Sequence, residues 1–304
     1  MDKIHIIIPV FTGWNETKVC LDALRASTYR DLEIIVVYHG VEDEIKKALE
    51  THYPEARCVV GPPSLWWAGA TNLGIRTALS NGARHIMLLN HDCYLDPDTI
   101  GRLLAHAYQV GQAIVAPIQK DSLTKQVTAV TAGTCFLLGF PTLVFPWKEK
   151  DLKTPQLLRT RLVLGGRGAL IPVSVFERVG LFDEINLPSY YSDHDFYLRC
   201  RQRGVPLLIA TDCVVSIDNT RTTLAARAGE LTLREFLITL RVPRSHRNLR
   251  DLTHLFKFHH PIRGLYHTGV ALNLLRYCVI YACKRFRSRL SSLSIPSSPS
   301  HPIR

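Results

Sequence analysis

Acidic residues are nearly missing from the end of this 304-residue chain: residues 241–304 hold twelve Lys and Arg but one acid, Asp251, whereas residues 1–240 balance 25 against 25. The formal net charge of +11 therefore belongs entirely to the last part. That asymmetry argues for an anionic partner of the tail and against a basic cleft in the main body. No nucleic-acid recognition motif accompanies the charge, so a membrane surface is the expected partner and nucleic acid is not. There is no CxxC pair among the eight cysteines. Scattered through apolar runs, they are expected to be buried thiols in a reducing compartment. A basic-apolar-small leader is also lacking, because Met1-Asp2-Lys3 runs straight into Ile4-His5-Ile6-Ile7-Ile8; the expectation is a cytoplasmic protein. Residues 265–283 are apolar but broken by His267, Asn273 and Arg276, which excludes a convincing membrane-spanning helix. Finally, Pro9-Val10-Phe11-Thr12-Gly13-Trp14 is no GxGxxG turn, which counts against a dehydrogenase or nucleotidyltransferase.

What is present suffices for a full core: 46% of residues are hydrophobic and 21% charged. Short apolar runs at Ile4–Val10, Leu32–Tyr38, Arg57–Val60 and His85–Asn90 alternate with helical patterns. The first helix is expected to bury Val19, Leu21 and Leu24, the second to span Glu42–Thr51, and the third Thr71–Ser80 with Asn81-Gly82 as its stop. Asp96-Pro97 is expected to open a fourth helix reaching about Gln109, and Ile114–Pro117 another strand. This alternation implies a parallel sheet with a ligand crevice at the strand C-termini. Gly133–Trp147 is expected to be a buried or lid-like loop. Further strands are expected at Gly165–Pro172, Val205–Ile209 and Val214–Ile217, with helices at Val173–Val179 and Asp195–Arg203. The expected organisation is a catalytic domain over 1–240, a basic helical extension over 241–287 and a disordered Ser/Pro-rich tail over 288–304.

Two places present chemistry. Leu88-Leu89-Asn90-His91-Asp92 ends a buried strand on an amide, an imidazole and a carboxylate, where parallel sheets bind ligands. Asp92 either caps a turn or binds a hard divalent cation together with phosphate oxygens. Tyr190-Tyr191-Ser192-Asp193-His194-Asp195 precedes a helix. Ser192 and Asp195 there fit an N-cap pattern, while Asp193 is either a dipole partner of the helix or a base.

At these residues the chain resembles family 2 glycosyltransferases, including rhamnosyltransferase-like enzymes of bacterial surface polysaccharide synthesis. The resemblance covers roughly residues 4–222. Its blocks are Ile6–Val10, Glu33–Val37, Leu65–Ile75, Leu88–Asp92 with Asp96-Pro97-Asp98, and an acceptor half at Gly166–Pro172, Val179–Glu184 and Asp193–Asp195 with Leu198-Arg199. It implies a GT-A fold: an α/β, mostly parallel sheet flanked by helices, here with a basic C-terminal extension. It also implies inverting transfer of a sugar from a nucleotide-diphosphate donor to a hydroxyl of a glycan or glycolipid acceptor. Asp92 would bind the divalent cation, Mn2+ or Mg2+, and Asp193 would be the base.

Donor contacts would come from Pro9, Tyr38, Gly69, Asn72, Gly74 and Asn90. The chain departs from the family pattern in four places. It has Tyr38-His39-Gly40-Val41 where relatives carry a base-reading Asp, so Tyr38 would stack on the nucleobase; the DXD block is reduced to Asn90-His91-Asp92; and Ser192 replaces the usual Glu before the base. Asp218, in Ser216-Ile217-Asp218-Asn219-Thr220, would take the place of a phosphate-side His as an oxygen ligand. Trp66-Trp67 serves either packing or sugar stacking. The basic stretch 241–289 either lies on an anionic membrane surface, making the protein peripheral on the inner face, or packs on the catalytic domain. The contrasting reading of the whole chain is a catalytically idle GT-A domain acting as a binding or scaffolding module.

Overall fold

The computed structural model describes residues 2–152, 154–218, 231–243 and 245–293. Strands β1 (Ile4–Val10), β2 (Leu32–Tyr38), β3 (Arg57–Val60) and β4 (His85–Leu89) pair in parallel in the order β4-β1-β2-β3. They are joined by helices α1 (Trp14–Arg25), α2 (Asp43–His52) and α3 (Trp66–Ser80). All seven residues of β1 are buried. Alternation explains why: Ile7 faces one core layer with Ile35, Val37 and Leu88, while Ile4, Ile6 and Ile8 face the other with Val36 and Met87. Each such side chain contributes about 1.5–3 kcal/mol by leaving water.

The second half mixes directions. Helix α4 (Thr99–Val110) leads to β6 (Ile114–Asp121), which runs parallel to the long β12 (Leu207–Ile217). Strand β11 (Arg167–Pro172) is inserted antiparallel between β4 and β6, and the short β5 (Cys93–Leu95) pairs antiparallel with β12. β7 (Val127–Ala129) and β10 (Leu157–Arg159) extend the same sheet. Helices α5 (Val173–Val179) and α6 (Ser192–Gln202) follow β11.

Several local expectations are corrected. Helix α3 begins at Trp66, five residues early, so most of the Leu65–Ile75 block is its first turns. Helix α4 starts at Thr99 with Asp98 as its N-cap, not Asp96. Val19 points outward at 47% exposure, its place on the α1 core face taken by Cys20. Residues 207–217 form one strand, whose register slips between Ala210 and Val214, rather than two strands. The stretch 133–147 is a hairpin, β8 (Ala132–Cys135) and β9 (Phe140–Val144), rather than a loop.

The chain past 231 supplies α7 (Leu233–Thr239), α8 (Leu249–His259) and α9 (Tyr266–Leu293). Thr232 and Glu235 form a reciprocal capping box on α7. One face of α9 lies against the 136–140 turn of the hairpin. A Cβ on Gly269 would stand 2.4 Å from the Phe136 carbonyl oxygen, and the Asn273 amide donates to the Gly139 carbonyl at 2.7 Å. Phe136, Tyr191, Leu198, Leu252, Leu255 and Phe256 form a third core, with Val270 and Tyr277 of α9 packed on it. Helix α9 continues to Leu293, into the stretch expected to be disordered from 288; residues 294–304 lie outside the described residues. Among the described residues no helix is long and apolar enough to cross a membrane. The cysteines are all unpaired, yet Cys278 and Cys283 on α9 are exposed, against the expectation of burial.

Candidate active site

The loop after β4 carries Asn90, His91 and Asp92 to the C-terminal edge of the parallel strands before β5 begins. Asn90 holds the turn. Its amide donates to the Gly166 carbonyl at 2.6 Å, and its side-chain oxygen accepts the Trp67 indole N–H at 2.9 Å. β5 pairs Cys93 with Ile217, so Asp92 and Asp218 are the residues that adjoin one end of that ladder. The Tyr94 hydroxyl reports the result: burial first, then the charges of Asp92, Glu16 and Asp218, push it up to about 12. Asn219 and Thr220 lie outside the described residues.

Two cavities meet at this loop. The smaller, about 230 Å3, is bounded by Pro9, Phe11, His39, Trp66, His91 and Asp92 among others. The larger, about 730 Å3, is bounded by Gly165, Arg167, Thr142, Asp193, His194 and Arg276 among others. Trp67, Asn90 and Ser189 belong to both and form the partition, whereas Asp92 borders the smaller and Asp218 borders neither. Trp66 and Tyr191 are non-glycine residues at positive φ, 52° and 66°. Backbone held there is costly and clusters where a site needs it. Tyr191 immediately precedes α6, so the turn it makes sets the direction in which Asp193 leaves the helix.

Asp193 is the second residue of α6, since that helix begins at Ser192 rather than Asp195. Ser192 is consequently inside the helix and does not cap it, and its hydroxyl is buried without a partner. One Asp193 oxygen accepts the Gly165 amide at 2.8 Å and the other meets His194 Nδ1 at 2.9 Å. His194 Nε2 in turn meets the Thr142 hydroxyl at 2.7 Å. Burial raises the carboxyl pKa, but the charge and hydrogen bond of His194 and the amides of Gly165 and His194 outweigh it, leaving Asp193 below the usual carboxylate value. It is ionised at neutral pH and faces the larger cavity.

Asp195 has a different task. Its oxygens meet His259 Nε2 and Arg199 Nε, both at 2.8 Å, and Arg199 also donates to the Val179 and Leu181 carbonyls. This buried network ties α6 to α8 and to the end of α5, and Asp195 borders neither cavity.

The donor-side residues divide. Pro9 and Asn90 border the smaller cavity. Tyr38 does not: it is 3% exposed, and its hydroxyl bonds with the Glu42 backbone. Asn72 is spent on the Phe182 backbone at 2.9 and 3.1 Å and on Glu184 at 2.8 Å. Gly74 permits α3 to rest on the sheet, because a Cβ there would lie 2.4 Å from Ile7 Cγ2 and 3.0 Å from Val37 Cγ2. Gly69 faces Leu65 and Glu184. Asn72, Gly74 and Gly69 are packing elements because α3 begins before them, and Tyr38 is held away from the cavity by its bonds to the Glu42 backbone.

The residues that do line the smaller cavity include Phe11 and His39, whose rings lie 5.3 Å apart. Burial, then the charge of His91, depress the His39 pKa to about 4, and its Nδ1 is buried without a hydrogen-bond partner. Their only sequence signal was position, each following directly on the end of a parallel strand. Trp67 packs edge-on against Phe182 at 5.4 Å and so combines packing with a wall of both cavities. Among the described residues the one three-ligand His/Cys/Asp/Glu cluster is His106, Asp212 and Cys213, on α4 and β12 and apart from both cavities.

A model of glycosyl transferase family 2 matches residues 5–180, more than half the chain. The chain belongs to that family. Two uncharacterized glycosyltransferases, from Rickettsia prowazekii and Rickettsia typhi, are each 24% identical over 212 residues. The match spans 65% of this chain and 63% of theirs, so it spans less than two thirds of those relatives. Among solved structures, residues 1–349 of S. aureus TarS superpose with a TM-score of 0.55 at 13% identity, covering 95% of this chain and 92% of that one. GalNAc-T7, solved with UDP, GalNAc and Mn2+, gives 0.59 at 13% identity over 71% of this chain and 44% of its own. At such identities the likeness is one of fold, and the fold is GT-A. The family match contains Pro9, Asn90 and Asp92 and stops before Asp193.

Proposed function

We propose that this family 2 protein is an inverting glycosyltransferase that moves a sugar from a nucleotide-diphosphate donor in the smaller cavity to a hydroxyl of an acceptor in the larger one. One observation carries the reading: the two cavities share the Trp67–Asn90 wall, with Asp92 on one side and Asp193 on the other. An ionised carboxylate fixed by the Gly165 amide and His194 is a base that needs no reorganisation to accept the acceptor's proton. Attack from that side is in line with departure toward Asp92, which inverts the anomeric centre. Phe11 and Trp66 offer ring faces to a nucleobase, and neutral His39 offers its Nδ1.

The site suits a divalent cation. Asp92 and Asp218 supply oxygen at one end of the β5–β12 ladder, and magnesium-like ions bind through one or two carboxylates plus substrate phosphates. Bound there, Mn2+ or Mg2+ would neutralise charge on the departing diphosphate. The UDP and Mn2+ of the GalNAc-T7 structure support this donor chemistry.

The acceptor proposed is a glycan or glycolipid of surface polysaccharide synthesis, met at an anionic membrane surface. The support is α9. Leu272, Leu275, Val279 and Phe286 are 42–65% exposed and share one face. No Lys, Arg, Asp or Glu lies between Arg263 and Lys284 except Arg276, which turns to the cavity. An apolar helical face with basic ends, in a segment holding one acid, fits the boundary of an anionic leaflet. Assaying the purified chain against a panel of nucleotide sugars, with and without Mn2+, tests the enzymatic part. Metal-stimulated donor hydrolysis is expected. Failure to bind or cleave any donor would favour an idle binding domain.

A further inference from the structure

The larger cavity is completed by the chain beyond the family match: His246 before α8, and Arg276 and Tyr277 of α9, form the wall beside Asp193. Arg276 is unusual among the described arginines on this wall. Arg167 donates to Gln119 Oε1 at 2.6 Å, but Arg276 makes no hydrogen bond or ion pair among the described residues, and its Nε is buried without a partner there. Its guanidinium lies over Phe140 at 4.6 Å and over Tyr277 at 5.2 Å from the ring centres. Two aromatic faces thus hold a planar, permanently charged fork in one orientation while leaving its donors unused. A buried donor left unmade is costly, so the arrangement is complete only with an acceptor atom beside it.

The surrounding charge has the matching sign. Asp193 is the only acid among the described residues of the cavity wall, and it is already engaged by His194 and Gly165. His246 is held neutral, its pKa brought down to about 4 by burial and then by Arg247 and Arg276, so it adds a hydrogen-bonding group without charge. Tyr191 and Tyr277 both donate to the His246 carbonyl, which keeps this corner rigid. A stacked arginine with free donors in a cavity short of acid recognises an oxyanion, for which its fork is built.

We propose that Arg276 anchors an anionic group, a phosphate or a carboxylate, of the acceptor, so that the acceptor hydroxyl is presented to Asp193 by a charge held on α9. This rests on the assignment of the larger cavity to the acceptor. Arg276 is a substrate-binding residue rather than part of the proton transfer.

Calorimetric titration of the full chain with inorganic phosphate, and separately acetate, at low chloride tests the site. The variants are Arg276→Gln, Arg276→Lys and the exposed control Arg241→Gln. The expected result is phosphate binding that weakens at least tenfold in Arg276→Gln, weakens several-fold in Arg276→Lys and is unchanged in Arg241→Gln. Acetate binding that follows the same pattern at comparable affinity would assign the site to carboxylates instead. Should Arg276→Gln not fold, the Lys variant decides, because it keeps the charge but loses the stacked fork. UDP, GDP and dTDP with Mn2+ form the second arm: their affinities should be the same in wild type and Arg276→Gln, and phosphate should still bind when nucleotide is saturating. Phosphate and acetate both failing to bind wild type, or binding equally to Arg276→Gln, overturns the proposal. So does displacement of phosphate by nucleotide, which would make the anion site part of the donor pocket. If no nucleotide binds at all, the donor assignment fails while the phosphate arm stands on its own.

Discussion

Replacing Asp193 with Asn separates a base from a structural carboxylate. Asn keeps the size and can still accept the Gly165 amide, but it cannot take a proton and loses the charge that faces His194. Losing a positioned base costs on the order of 10²–10⁴-fold in rate. That corresponds to about 3–5 kcal/mol of transition-state stabilisation. The stability cost is smaller, bounded by one charge-assisted hydrogen bond of about 1.5–3 kcal/mol. Because the folded pKa of Asp193 is depressed, its contribution is present above the unfolded aspartate pKa and disappears as pH falls through the lower folded value. The melting difference between wild type and Asn should therefore be full at pH 6–8 and shrink in strongly acid solution. The same depression keeps the acid limb of the wild-type rate profile below the ordinary aspartate range. Transfer rate, nucleotide affinity and melting temperature on this one variant decide the matter. The reasoning is refuted if transfer stays within a few-fold of wild type, or if nucleotide affinity falls as far as the rate. No neighbour could rescue it, because both oxygens of Asp195 are engaged by His259 and Arg199.

Asp92→Asn should lower turnover by orders of magnitude with an unchanged melting temperature; near-native activity with the same Mn2+ dependence would remove Asp92 from the site. Gly74→Ala forces a methyl against Ile7 and should cost about 1–3 kcal/mol in denaturant melts, with nucleotide affinity unchanged in the folded protein; a selective loss of nucleotide affinity would restore Gly74 to the donor site. Burial raises the Asp251 pKa to about 6, so ionising it in the fold costs stability, a cost that grows above the unfolded aspartate pKa and is full above about 6. Asp251→Asn should stabilise the protein at pH 7–8 by about 1–2 kcal/mol and give no gain near pH 4, as thermal melts at the two pH values will show. Leu275→Glu combined with Val279→Glu should reduce co-sedimentation with phosphatidylglycerol vesicles at least tenfold while leaving the fold intact, and undiminished binding would exclude α9 as the lipid-facing element.

The parallel strands were legible with the observed bounds: β1 and the second part of β2 are buried on both faces and appear as apolar runs, while the half-exposed edge strand β3 showed only through Cys58-Val59-Val60. Asp92 stood out as a carboxylate shortly after a buried strand, and Asp193 as one in a polar run at the start of a helix. Helix starts were less legible. Ser192 and Asp96 carry cap chemistry in their side chains, but the helices begin where tertiary contacts position the turn, at Tyr191 in a left-handed conformation and at Asp98. The early start of α3 decided the fate of Asn72, Gly69 and Gly74, which spacing alone assigns equally well to a phosphate turn or to helix–sheet packing.

By itself the sequence determined the α/β alternation, the family blocks and the concentration of positive charge at the end of the chain, all of which are local in the sequence and survive without contacts. Only the tertiary structure decided which residues share a cavity. Asp218 and Asp92 adjoin the same end of a pairing between strands far apart in the sequence, and His39 and Phe11 meet because adjacent parallel strands end at one edge. Arg276 borders the same cavity as Asp193 because glycines let α9 rest against the hairpin turn. Such juxtapositions depend on packing between segments distant along the chain, and neither composition nor periodicity records that.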